Sequence, residues 1–102
     1  MAFYHVHGLI PDEISQSEGY KAFEQYISSG APKDNFDGFE LVGRFHAPET
    51  GEVFVILKAD NHLAISEHFG IWREKFGVEW KITAVLNDDE VIQRNKQVAD
   101  AE

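Results

Sequence analysis

From Val78 to Leu86 apolar and polar residues alternate almost without a break, the period-two signature of a half-buried strand. Three further β-type runs precede it. Phe3 to Leu9 is aromatic and β-branched and is closed by Pro11-Asp12. Phe39 to Ala47 and Glu52 to Ala59 are separated by Pro48-Glu49-Thr50-Gly51, a sequence suited to a tight turn, and so predict a hairpin. Two helical patterns lie between the runs. Ser15-Gln16-Ser17-Glu18 has the spacing of a capping box, after which Tyr20, Phe23 and Ile27 recur at helical intervals until Gly30-Ala31-Pro32. Asp60-Asn61 supplies a second cap, Ile65, Phe69, Trp72 and Phe76 form one stripe, and Gly77 closes it. A polar helix capped within Asn87-Asp88-Asp89-Glu90 runs to about Gln97, with a frayed tail at about 98–102.

The order β-α-β-β-α-β plus a terminal helix is the split βαβ plan, an α+β ferredoxin-like fold. Right-handed crossovers put both helices on one face of an antiparallel sheet in the order 4-1-3-2. No linker or repeat interrupts residues 1–102, which read as one domain.

Strand parity sorts the side chains. Phe39, Leu41 and Phe45, Val53, Val55 and Leu57, and Val78, Trp80 and Ile82 are expected beneath the helices. The other face carries Glu40, Val42, Arg44, His46, Phe54, Ile56, Lys58, Lys81, Thr83 and Val85, a mixture too apolar for open water. It is expected to bury against a second copy of the chain. On the first strand Tyr4, Val6 and Gly8 are placed on the helix side and Phe3, His5 and His7 on the dimer side, the reverse being the alternative.

The segment Leu41-Val42-Gly43-Arg44-Phe45-His46-Ala47, a short turn and the aliphatic run Val53 to Leu57 resemble a small family of uncharacterised proteins, a domain of unknown function within the dimeric α/β-barrel superfamily. Its Gly-Arg-aromatic-His segment is matched by Gly43, Arg44, Phe45 and His46. Asp60 matches an acidic position after the third strand, and Val85 to Glu90 match a closing strand that runs into acidic sequence. The resemblance covers residues 1 to 95 in plan and implies a monomer that pairs sheet to sheet into a closed dimer. The superfamily holds cofactor-free oxygenases, isomerases, haem enzymes and pure binding modules, so the fold does not choose among them.

Composition narrows the classes. With 43% hydrophobic and 26% charged residues the chain is of globular type. Nine Lys and Arg against 18 Asp and Glu give a net charge of −9, which repels nucleic acid. The hairpin strand laid on an RNA-recognition pattern lacks the basic first residue and the flanking aromatics. No run approaches the ~20 apolar residues of a membrane span, and nothing at Met1 to His5 resembles a signal peptide. Without cysteine the chain suits a reducing compartment, and a cytoplasmic location is expected.

Candidate chemistry falls on His5, His7, Arg44 and His46, which parity brings to one face. His46 or His5 would be a base and Arg44 the contact for an anionic oxygen; the structural alternative pairs Arg44 with Glu40 or with a carboxylate of a second copy. His5 and His7 alternate as an HxH pair, but residues two apart on a strand are separated by about 6.8 Å and no third ligand converges, so neither a metal nor any other cofactor is expected. His62 and His68, six apart on a helix, diverge. The aromatic stripe Tyr20, Phe23, Tyr26, Phe69, Trp72 and Trp80 reads as core, with His7, Tyr20, Trp72 and Trp80 the candidates for contacting a small molecule. The expectations are thus a binding module or, alternatively, a cofactor-independent oxygenase or isomerase.

Overall fold

The computed structural model describes residues 1–100. Its elements are β1 (Ala2–Leu9), α1 (Glu13–Ser28), β2 (Asn35–Phe36), β3 (Phe39–Ala47), β4 (Glu52–Ala59), α2 (His62–Phe76), β5 (Glu79–Val85) and α3 (Asp88–Asp100). The sheet is antiparallel in the order β2-β3-β4-β1-β5. The four strands expected from the sequence stand as 4-1-3-2, with the first strand central. The two-residue β2 adds to the edge, an element too short to show a period-two pattern. Residues 101–102 of the expected frayed tail lie outside the described residues, and α3 stays helical through Asp100.

Local chemistry accounts for the helix ends. α1 starts earlier than its capping-box spacing suggests, because Asp12 accepts from the Ser15 amide at 2.7 Å. In α2 the Asn61 side chain accepts from the Ala64 amide at 3.0 Å, and Gly77 takes the left-handed conformation (φ 66°) that ends the helix. Arg73 and Lys75 in its last turn complement the helix dipole.

Val6, Phe39, Val53, Val55, Leu57, Ala59, Ala64, Ile65 and Phe69 form the core between sheet and helices. Tyr4 packs on this cluster and Val6 and Gly8 are buried, so β1 is oriented with that parity toward the helices. Phe3, His5 and His7 share the opposite face with Phe54 and Ile56, and that face stands open: Phe45 is 74% and Phe54 37% exposed.

One expectation about facing is corrected. The register of β3 on β4 slips between Leu41 and Gly43, so Leu41 stands opposite Leu57 while Gly43 stands opposite Ile56. Val42 is the extra residue of a β-bulge, and every side chain after it changes face. Phe45, expected beneath the helices, faces outward opposite Phe54. Arg44 and His46, expected outside, stand opposite Val55 and Val53 on the helix side.

Candidate functional site

The bulge parts the four residues expected to converge. His5 and His7 remain on the open face, where His7 Nε2 lies 2.7 Å from Glu52 Oε2. The Thr50 hydroxyl donates to Glu52 Oε1 at 2.7 Å, and these two contacts hold the Glu52 carboxyl below its ordinary value. Arg44 and His46 instead enter the space between β3 and α1. There they join three of the four aromatic candidates, Tyr20, Trp72 and Trp80; the fourth ligand candidate, His7, does not reach it.

α1 contributes no buried residue, and Tyr20, Phe23 and Tyr26 are half-buried along its inner side. The stripe expected as core therefore borders a gap. Tyr20 and Phe23 from α1, Trp72 and Phe76 from α2, Trp80 from β5 and His46 from β3 line a narrow, solvent-open cleft with a free volume of about 60 Å³. Phe23 meets His46 edge-on at 4.9 Å and Trp72 tilted at 6.0 Å between centroids, while Trp72 stacks on Phe76 at 5.7 Å. Trp80 Nε1 is buried with no hydrogen-bond partner among the described residues. A strong donor in that position costs stability until an acceptor reaches it.

His46 sits at the mouth, its Nδ1 3.4 Å from the Tyr20 hydroxyl, a long and weak contact. Partial burial and the positive charge of Arg44 lower its pKa, so at neutral pH the ring is neutral and keeps a nitrogen lone pair. Burial and the charge of Glu49 push the Tyr20 hydroxyl up.

Arg44 is not available in the way its sequence position suggests. Its guanidinium lies 4.7 Å over the Phe23 ring and makes a fork to Asp34, Nη1 to Oδ1 at 2.9 Å and Nη2 to Oδ2 at 3.0 Å. Both side chains are about seven-eighths buried. Glu40, the partner considered from sequence, faces Lys58 at 3.6 Å instead. The Tyr26 hydroxyl donates to Asp34 Oδ1 at 2.8 Å and accepts from the Lys33 amide at 3.0 Å. Burial alone would raise the Asp34 carboxyl, but these donors outweigh it and hold it low; the same burial and the Asp34 charge push the Tyr26 hydroxyl up. The cluster ties the segment between α1 and β3 to the sheet.

His68 completes this wall. It is 3% exposed, stacks on Phe39 with centroids 4.5 Å apart, and its Nδ1 meets the Lys33 carbonyl, which makes Nδ1 the protonated nitrogen of a neutral ring. Sequence reading set it aside as one of two diverging histidines, yet its place three residues after Ile65 and four before Trp72 puts it on the buried stripe. Burial lowers its pKa. An unfolded His68 has the ordinary value of 6.5 and takes up a proton first as the pH falls, so stability should decline from about pH 6.5 down to the lower folded value. In His68→Phe, which keeps a flat ring, denaturant midpoints between pH 7 and pH 5 should fall less than in the wild type; equal slopes would contradict the assignment.

Among the described residues no three His, Asp or Glu side chains come close enough together to hold a metal ion, and no helix is long and apolar enough to cross a membrane.

These features define a ferredoxin-like α+β protein with an aromatic cleft under its first helix. The chain belongs to the DUF3303 family, a domain of unknown function, whose sequence profile matches residues 2–99. Among solved structures it is similar to Rv0793 from Mycobacterium tuberculosis, with a TM-score of 0.52 and 16% identity over 86% of this chain and 98% of the other. It is also similar to the uncharacterised protein TM1266 from Thermotoga maritima (TM-score 0.48, 18% identity, 83% and 98% covered). A third likeness is to a dimeric ferredoxin-like protein from an uncultured marine organism (TM-score 0.39, 13% identity, 86% and 97% covered). No curated protein matches the chain. The first of these likenesses supports the fold.

Proposed function

We propose that the chain is a homodimeric α/β-barrel domain that binds a small, flat, uncharged molecule in the cleft beneath α1. The observation that carries this reading is that α1 has no buried residue although three of its aromatic rings point inward. A helix stabilised by its own core would bury that stripe; here a planar ligand would complete it. Electrostatics favour a neutral ligand, because Arg44 is already neutralised by Asp34 and His46 is uncharged. His46 offers an acceptor at the mouth. The dimer reading rests on the open sheet face, where Phe45, Phe54 and Val42 lie 74, 37 and 53% exposed.

Native mass spectrometry of gently purified protein tests both halves, through subunit number and any retained mass. With 1-naphthol as a flat neutral probe, tryptophan fluorescence should quench saturably, and Phe23→Ala should weaken binding about tenfold, the scale of one lost aromatic contact. Phe54→Glu should give monomers that still bind the probe. A protein that retains no mass and shows no saturable quenching has no such site, and a wild-type monomer removes the barrel.

A catalytic version of the site, a cofactor-independent oxygenase or isomerase, has one observation in its favour: the neutral His46 at the mouth is placed to accept a proton. Arg44 would have to leave Asp34 to meet an anionic oxygen, which makes His46 the stronger half of that reading. Turnover would then be lost in His46→Gln and would rise through the lowered pKa of His46 as the pH increases.

A further inference from the structure

α3 is the element that its own protomer does not use. None of its residues is buried, every residue from Val91 to Asp100 is exposed, and it packs substantially against no other element. Its sequence is nevertheless that of a docking helix. At 100° per residue Val91, Ile92, Asn95, Val98 and Ala99 fall within about a third of the circumference, an arc that Asp88 shares at the helix start, and the other charged and amide side chains fill the remainder. Val91, Ile92 and Val98 are 42, 53 and 43% exposed, and Leu86 just before them 53%. A reciprocal capping box fixes the start, with the Glu90 amide donating to Asn87 Oδ1 at 2.8 Å and the Asn87 amide to Glu90 Oε1 at 3.0 Å. A helix of 13 residues is marginal in water without a surface to pack on. The molecule is drawn out accordingly, 53 Å long with a radius of gyration of 15.9 Å where about 13 Å is usual for 100 residues.

Position says what covers the stripe. β5 ends at Val85, which stands beside Phe3 on the open face of the sheet, and only Leu86 and Asn87 separate it from α3. The stripe therefore starts at the rim of the apolar open face, and a copy seated on that face comes within reach of it. The acidic first turn, Asp88, Asp89 and Glu90, would meet there a face carrying Lys81, a cation with no carboxylate partner among the described residues. The protomer's own groove between α2 and β5, lined by Ser66, Phe69, Gly70, Trp80 and Ile82, lies on the helix-bearing side of the sheet, around the β5 edge.

We infer that α3 is an exchange arm: in the homodimer each α3 leaves its own protomer and lays Val91, Ile92 and Val98 on the second copy. This rests on the homodimer proposed above but not on the cleft or its ligand. The chain has no cysteine, so one introduced at Gln93, on the polar side of α3, carries a nitroxide cleanly. Unlabelled Gln93→Cys protein bearing the nitroxide is unfolded and refolded together with ¹⁵N-labelled wild type so that mixed dimers form. Paramagnetic broadening of amides in the ¹⁵N-labelled protomer, abolished by reducing the nitroxide, is the expected result, and the broadened residues mark the docking surface. A protein that runs as a dimer but shows no broadening between protomers overturns the arm and leaves the sheet-face dimer standing. In a second sample, with the spin-labelled chain itself ¹⁵N-labelled and diluted into unlabelled wild type, broadening of Ser66, Phe69, Gly70 and Ile82 in its own α2–β5 groove assigns the stripe to its own protomer and overturns the arm. A monomer removes both readings. A chain ending at Asn87 should remain a dimer with a dissociation constant raised about tenfold or more; an unchanged constant counts against the arm.

Discussion

Replacing Arg44 with Met should lower the unfolding free energy by about 3–5 kcal/mol, the usual cost of removing one partner from a buried ion pair. The Asp34 side chain is 12% exposed and would be left with the Tyr26 hydroxyl and no cation. Its carboxyl would lose the two guanidinium donors that do most to keep it ionised, and the loss is read as a denaturant midpoint that falls with an unchanged slope. Arg44→Lys should fall between, because an ammonium keeps the charge but cannot form the two parallel bonds of the fork. The double variant Asp34→Leu with Arg44→Met should recover much of the loss, since a well-packed apolar pair in place of a buried ion pair is often nearly neutral. The acid limb follows the same logic. A carboxyl held below its ordinary value of 3.8 stabilises the fold above that pH and loses this effect as the pH falls through the lower folded value. That limb should flatten in Arg44→Met. A single-variant cost below about 1 kcal/mol would place the pair with exposed ion pairs and release Arg44 for a role in the cleft.

That pair also shows where the sequence ceases to be legible. β3 and β4 follow from their alternation and the turn residues between them, and both helix stops follow from Gly30 and Gly77. The face on which Arg44 sits does not follow, because strict alternation assumes an unbroken ladder and Val42 breaks it. Gly43, a glycine inside an otherwise regular strand, is the signal that a bulge was due. Once the parity is flipped at that point, Arg44 and His46 join the face of Val55 and Val53, and Phe45 leaves it. Asp34 had no comparable signal. It lies between Gly30 and Gly38 in a segment without periodicity, and its pairing with a residue ten positions later depends on how that segment folds back over the sheet. The half-buried state of Tyr20 and Phe23 was likewise hidden, because a helical aromatic stripe reads the same whether it closes on a core or on a gap.

The cleft itself hangs on one residue without a side chain. Gly8 on β1 stands opposite Trp80 on β5, and a Cβ at Gly8 would lie 2.3 Å from Trp80 Cζ3 and 2.6 Å from Cε3. The indole thus rests directly on the strand backbone, which holds it under α2, tilted against Phe69 at 4.5 Å. Gly8→Ala should destabilise by about 1–3 kcal/mol, since a rigid ring on a central strand has little room to yield. The sign is informative, because a glycine in an unobstructed strand costs roughly 0.5–1 kcal/mol relative to alanine and its replacement would then stabilise. Trp80→Leu should also destabilise alone, by leaving a cavity, yet in the double variant the added methyl occupies part of that space and the two costs should fall short of additive. Function should move with structure: an indole pushed off Gly8 no longer shapes the cleft wall, so Gly8→Ala should weaken 1-naphthol quenching even at temperatures where the variant is fully folded. Full additivity with undiminished quenching would mean that Trp80 relaxes freely and that the cleft is shaped by α1 and α2 alone.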